Sequence, residues 1–308
     1  MPHPILVTGA AGGAQGSTGR VITTLLREQG LPVRAFVHRH DHRSEELRAL
    51  GAEVFAGDLL DPASVQKAME GVKRAYFTYP VKDGLLEAAT IFAAMARDAG
   101  LEFVVNNSQL QRLPGEPGFR DLCQVPSFRN LQHRLADRIF DWAEVSAVHL
   151  QTPPYYENVR VLVSATLAEK DAVFLPWGAG DAVLPLTGAE DVARVAATLL
   201  SSPGLPSTNV LPLVSEAPTV KQIFAALEKA IGRPVRYVPI TDEQWADAVK
   251  SRLNPHALDH LSHLWRYFRE SGAEFKTTDT VRKVTGRKPQ SLEEFFRLNA
   301  TRMTGAAQ

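Results

Sequence analysis

Through the first half of the chain, short apolar runs alternate with segments that repeat at helical spacing. Ile5-Leu6-Val7, Val33 to Val37, Glu53 to Ala56, Arg74 to Thr78, Glu102 to Val105 and Ala147 to Leu150 each read as a strand. Between them, Val21-Ile22 and Leu25-Leu26 mark a helix stopped by Gly30, and Ser44 to Leu50 a short one ending at Gly51. Asp61-Pro62 opens another, with aspartate as cap and proline in the first turn, and a long helix runs from about Leu85 to Ala99. Strands separated by helices predict a doubly wound parallel sheet covered on both faces.

The periodicity loosens after Pro153-Pro154. Val173 to Trp177 and Val183 to Leu186 read as short strands, Glu190 to Leu200 as a helix, and Asn209 to Val214 as a return to the sheet. From Thr219 onward the pattern is mostly helical, with one strand at Val235 to Pro239. Residues 1–152 are therefore expected to form the sheet domain, completed by about 187–214. Residues 153–308 supply mainly a smaller α+β part, with no flexible linker between the two.

Composition narrows the function classes. The 34 Lys and Arg balance 34 Asp and Glu, which disfavours direct nucleic-acid binding because that needs clustered excess cations. One cysteine, Cys123, excludes an internal disulfide framework and a Cys-rich metal site. The start, Met1-Pro2-His3-Pro4, lacks the regions of a signal peptide, and the apolar-leaning stretches carry charges and are too short to span a membrane. A cytoplasmic protein is the expectation.

The strongest chemical signal lies between the first strand and the first helix, in Gly9-Ala10-Ala11-Gly12-Gly13-Ala14-Gln15-Gly16. Glycines there expose backbone N–H groups at a helix N-terminus, which suits a dinucleotide pyrophosphate. The consecutive Gly12 and Gly13 add one residue to the plain glycine spacing, so either could approach the phosphates. The second strand ends in His38-Arg39, followed by His40, Asp41, His42 and Arg43. Arg39 and Arg43 can fork onto a ribose 2′-phosphate, which predicts NADP(H), while Asp41 keeps NAD(H) open. Asp58, after the third strand, would sit near the adenine or simply cap its turn.

These residues resemble the NmrA-like branch of the atypical short-chain dehydrogenases, which includes NADPH-sensing regulators, quinone oxidoreductases and triphenylmethane reductase. The matching pieces run in order along nearly the whole chain: Gly13-Ala14-Gln15-Gly16, Val33 to Arg39, Gly51-Ala52-Glu53-Val54, Leu150 to Asn158, Glu190-Asp191-Val192 and Thr285 to Pro289. The resemblance implies an NAD(P)-binding Rossmann fold and, in the wider superfamily, a Ser/Thr with a Tyr-x-x-x-Lys relay. In that resemblance the Ser/Thr position falls on Asn107, with Ser108 beside it, the tyrosine position on Phe128 and the lysine position on Gln132. Phe128 has no ionisable proton and Gln132 no charge, so that relay is not available, although Gln132 could bond a ribose hydroxyl.

A quinone, an enone or a cationic dye can accept hydride directly, which makes NADPH-dependent reduction of a conjugated acceptor the leading expectation. The alternative is a non-catalytic NADP(H) sensor acting through a regulatory partner. Asn107, Gln132 and His133 are the candidate catalytic residues, His133 as the nearest proton donor or as a helix-surface residue. Tyr79, Tyr155, Tyr156, Asn158 and Trp177 are expected to form an aromatic acceptor pocket, with Tyr79 and Tyr155 also near the cofactor; ordinary core packing is the rival reading, above all for Tyr156 and Trp177. His256, His260 and His263 share a helical face, but no glutamate or cysteine accompanies them, so packing against Trp265 and Phe268 is preferred to a metal site. A homodimer is left open.

Overall fold

The computed structural model describes residues 3–13, 17–110, 128–270 and 275–304. In chain order it contains β1 (Ile5–Val7), α1 (Thr18–Glu28), β2 (Val33–Val37), α2 (His42–Ala49), β3 (Glu53–Ala56), α3 (Pro62–Ala68) and β4 (Arg74–Phe77). Then follow α4 (Leu85–Asp98), β5 (Phe103–Gln109), α5 (Phe128–Ala143), β6 (Ala147–Thr152), α6 (Tyr156–Lys170), β7 (Ala172–Leu175) and α7 (Ala189–Ser201). The chain continues with β8 (Val210–Pro212), α8 (Val220–Ile231), β9 (Arg236–Pro239), α9 (Asp242–Val249), α10 (Pro255–Glu270), α11 (Thr280–Thr285) and α12 (Leu292–Thr304).

Seven parallel strands form one sheet in the order β3-β2-β1-β4-β5-β6-β8, and the connection reverses direction between β1 and β4. That reversal opens a crevice at the carboxyl ends of the strands, where open α/β sheets bind ligands. Alternation along each strand divides the apolar residues between two layers. Val7, Val105 and Leu150 pack with Ile22, Leu26, Val192 and Ala196, the residues of α1 and α7. On the other face, Leu6, Ala75, Phe77 and Val104 meet α4 and α5, where Phe77 lies 4.9 Å from Phe92 and 5.2 Å from Phe140, centroid to centroid.

Local signals explain the helix starts. The Asp61 carboxylate accepts from Ala63 and Ser64 N–H at the head of α3, and Thr219 with Gln222 closes a capping box on α8. A third core lies in the C-terminal part, where Tyr156, Trp177, Trp245, Trp265, Phe295 and Phe296 pack around the β7-β9 pair.

The doubly wound sheet and the return of 209–214 as β8 match the sequence reading. Three edges differ. β5 continues past Val105 to Gln109 and β6 past Leu150 to Thr152, because the parallel register pairs the polar Asn106–Gln109 with His149–Thr152. Val183 to Leu186 is not a sheet strand; Val183 and Leu186 make only isolated bridges to Thr219 and Glu216. Trp177 lies beyond the end of β7 at Leu175. Among the described residues, no helix is long and apolar enough to cross a membrane.

Candidate active site

The glycine loop begins where β1 ends. Gly9 and Gly12 have φ of 64° and 72°, the left-handed region that only glycine occupies cheaply, and Gly12 N–H closes the turn onto Gly9 O at 3.0 Å. Ser17 locks the next step: its Oγ donates to Gly13 O at 2.7 Å and accepts from Gly13 N–H at 3.1 Å. The two neighbouring glycines thus divide the work. Gly12 makes the turn, and a side chain there would strike Ser17, whereas a Cβ on Gly13 would meet only open space. Ala14, Gln15 and Gly16, the remaining loop candidates, lie outside the described residues.

Gly19, in the first turn of α1, was not among the expected cofactor residues, yet it is the most constrained. A Cβ there would come within 2.5 Å of Thr8 O and 2.7 Å of Gly9 O, both backbone. Gly19 therefore sets how closely α1 approaches β1, and the strand-loop-helix spacing carried that signal.

At the end of β2, Arg43 spans the cleft edge. Its guanidinium holds Asp41 at 2.6 Å and donates to Gly12 O at 3.1 Å, tying the turn to the glycine loop. Asp41 also caps α2, and the Arg43 guanidinium lowers its carboxyl to about 2. Asp41 is therefore occupied as a cap and ion-pair partner. Arg39 is exposed beside it. Asp58 accepts from Leu60 N–H at 2.9 Å, so it caps its own turn, and it lies close enough to Tyr79 to help burial raise that phenol.

A second cluster forms where β4, β5 and β6 end. Tyr155 O–H donates to Asn107 Oδ1 at 3.1 Å, and Asn107 Nδ2 donates to Thr78 Oγ1 at 3.3 Å. Asn158 Oδ1 accepts from Tyr155 N–H at 2.8 Å, so it orients the tyrosine through the backbone. Tyr79 is half-buried, its hydroxyl on Asp83 O at 3.2 Å and its ring under the Lys82 ammonium. Gln132, on the first turns of α5, has a buried Oε1 with no hydrogen-bond partner among the described residues. An acceptor that is buried and unpaired is costly, and a ribose hydroxyl would satisfy it.

Tyr156 and Trp177 are placed elsewhere. Both are fully buried in the C-terminal core, with Tyr156 against Phe295 and Trp177 against Trp265 at 5.7 Å, which corrects their assignment to the acceptor pocket. Their apolar bulk is used to hold the C-terminal part together.

That part meets the sheet domain through α10. His256 Nδ1 lies 3.0 Å from Asp83, Arg129 Nη1 lies 3.3 Å from the same carboxylate, and the His260 ring meets His133 edge-on at 6.2 Å. Burial and the neighbouring His256 push His133 down to about 4; burial, with His133 and His256, pushes His260 to about 3. His133 is therefore neutral at pH 7 and can offer a hydrogen bond but not an imidazolium proton. The same packing accounts for the histidine face of α10; among the described residues, no group of three or more ligating side chains could hold a metal. Cys123 lies outside the described residues.

The polar residues under α5 were not anticipated. Asn106 and Ser108 of β5 and His149 of β6 point at Asp137 of α5, all almost fully buried. Asparagine and serine ending an apolar strand, and a histidine inside Val148-His149-Leu150, were the available signs.

Residues 13–203 match the NAD(P)H-binding family. The chain is 28% identical over 290 residues to the NAD(P)H azoreductase of Xenophilus azovorans, covering 94% of this chain and 96% of that one. It shares its fold with quinone oxidoreductase QOR2 of Escherichia coli in complex with NADPH, with a TM-score of 0.77 at 22% identity, covering 95% and 98% of the two chains. It also shares it with NmrA, a negative transcriptional regulator solved with NADP, with a TM-score of 0.78 at 18% identity and 99% and 98% coverage.

Proposed function

The chain belongs to the NAD(P)H-binding family, and on that premise we propose that it is an NADPH-dependent reductase of conjugated acceptors, an azo compound or a quinone. The observation that carries the cofactor half is the cradle of Gly9, Gly12, Gly13 and Gly19 with Arg43 fixed across its rim and Arg39 exposed beside it. With Asp41 engaged by Arg43, the rim presents cations to a 2′-phosphate, which favours NADPH over NADH. NADPH, when bound, supplies the hydride.

The chain's own residues bind, orient and exclude water. Asn107, fixed between Thr78 and Tyr155, and Gln132 border the nicotinamide ribose. Tyr155, oriented by Asn158, and Tyr79 form the apolar wall against which a flat acceptor stacks. The neutral His133 offers a hydrogen bond at that wall. Phe128 and Gln132 replace the superfamily's tyrosine and lysine, so the acceptor is one that takes hydride without an alkoxide intermediate.

One finding favours a second reading, a cofactor sensor: the fold is shared with the regulator NmrA. Purified protein, NADPH and a panel of azo compounds, quinones and cationic dyes separate the two. Consumption of NADPH with any panel member supports the reductase. Enhanced NADPH fluorescence without consumption supports the sensor, and no binding at all overturns both.

A further inference from the structure

Under α5, where a Rossmann sheet normally packs apolar side chains, four polar groups converge. Asn106 Nδ2 donates to Asp137 Oδ1 at 2.8 Å and approaches His149 Nδ1 at 3.1 Å. His149 Nδ1 is 3.4 Å from Asp137 Oδ1, and His149 Nε2 is 3.1 Å from Asp141 Oδ1. Ser108 and Gln151, paired in the β5-β6 register, face the same Asp137 carboxyl. The His149 side chain is 1% exposed and that of Asp137 8%. Burying such groups opposes folding unless they are paired, and perturbed carboxylates of this kind concentrate at functional sites.

The seam leads toward the acceptor. Ser108 adjoins Asn107 at the carboxyl end of β5, and Asp137 follows Gln132 by about one and a half turns of α5. Two buried polar atoms at this edge, Gln109 Oε1 and Gln132 Oε1, have no hydrogen-bond partner among the described residues. Ser108, almost fully buried, faces the Asp137 carboxyl from the strand end that also carries Asn107.

We propose that Asp137 is an internal acid that delivers, through the Ser108 hydroxyl, the proton an azo or quinone acceptor needs after it has received hydride. The proposal rests on the reductase reading above. In the step, the acceptor has gained two electrons and one hydrogen as hydride from NADPH. Ser108 Oγ–H gives its proton to the acceptor's anionic nitrogen or oxygen and takes one from the Asp137 carboxyl, which ends as a carboxylate. The product is the hydrazo compound or the hydroquinone, and Asp137 regains a proton from solvent by the same path once the product leaves. Asn106 and His149 steady the carboxylate in between. Burial raises Asp137 to about 6, against the opposing pull of His149 and Ser108. The groups facing it are Asn106 and Ser108 from β5, His149 and Gln151 from β6 and Asp141 from its own helix; Asp141 is in turn bound by Arg138 and Asn209.

The test compares acceptors that need a proton with one that does not. A carbocationic dye becomes neutral on accepting hydride alone, so it reads hydride transfer without proton delivery. Asp137→Asn and Ser108→Ala should each lower kcat for an azo and a quinone acceptor by about 100-fold. The carbocation rate and NADPH affinity should stay within about twofold of the wild type. In the wild type, kcat for the azo acceptor should fall as pH rises above about 6, and that fall should vanish in Asp137→Asn. Infrared spectra of the protein alone should show a protonated-carboxyl band titrating in the same range and absent from Asp137→Asn. Equal slowing of all acceptors by both variants, or an unaltered pH profile, would assign the seam a purely structural role and overturn the proposal. If the wild type reduces no acceptor, the reductase reading falls and takes this proposal with it.

Discussion

The proposed cofactor cradle is assembled from backbone within one stretch of chain, Gly9 to Gly19 with Arg43 locked across it, whereas the proposed nicotinamide and acceptor side is assembled from side chains scattered over the sequence. Tyr79, Asn107, Gln132, Tyr155 and the histidines of α10 come from five separate elements or loops. The cradle depends on what is absent, a Cβ at Gly9, Gly12 and Gly19, and its geometry follows from local φ and close approach. The acceptor side depends on what tertiary packing brings together, and it tolerates buried atoms with no partner. A site of the first kind fails when a side chain is added at a crowded glycine, and one of the second kind when its supports shift.

The sharpest break in that comparison comes from Gly19→Ala. The added methyl meets two backbone carbonyls, which cannot yield, so NADPH affinity should fall by at least about 100-fold, equivalent to about 3 kcal/mol, in a titration of cofactor fluorescence. An unchanged Kd would show that α1 can retreat and that the cradle is not fixed by backbone contact.

Acid should strike the other region first. His133 and His260 have folded pKa values pushed below their unfolded value of 6.5, so the folded state binds fewer protons than the unfolded one below that pH. Their contribution to stability is complete above about pH 6.5 and declines as pH falls toward 4 and 3, by about 2 kcal/mol for each at pH 5. Urea unfolding at pH 7 and pH 5 should show this loss, and His260→Leu should halve it. A loss equally large in His260→Leu would place the acid sensitivity elsewhere.

Arg39→Glu distinguishes cofactors rather than regions. NADPH binding should weaken by about 2 kcal/mol while NADH binding changes little, measured by parallel titrations. Equal losses for both would remove Arg39 from the 2′-phosphate. The smallest effect is expected of Gln132→Lys, which should retain or tighten NADPH binding by less than about 1 kcal/mol, because a lysine can reach the same ribose hydroxyl. Lost binding in a folded variant would move the ribose contact away from α5.

The same contrast explains what could be read from the sequence. The cradle, the basic turn after β2 and the doubly wound sheet rest on local signals: glycines between strand and helix, arginines at a strand end, and apolar periodicity. Trp177 and Tyr156 misled because an aromatic ring beside a strand end looks the same whether it faces a cleft or a core; only the packing against Trp265 and Phe295 tells them apart. The ends of β5 and β6 were cut short because their polar residues break the apolar run. Their role emerges only when α5 brings Asp137 down onto them. The contact of His133 with His260 joins residues more than a hundred positions apart, a separation that no local pattern encodes.

The most direct test of the account follows NADPH in the presence of an azo or quinone acceptor, using cofactor carrying deuterium at the transferred position. Direct hydride transfer predicts NADPH consumption in step with acceptor reduction, slowed severalfold by the deuterium in single turnover. NADPH bound tightly but never oxidised by any acceptor would contradict it and leave the cradle serving a sensor.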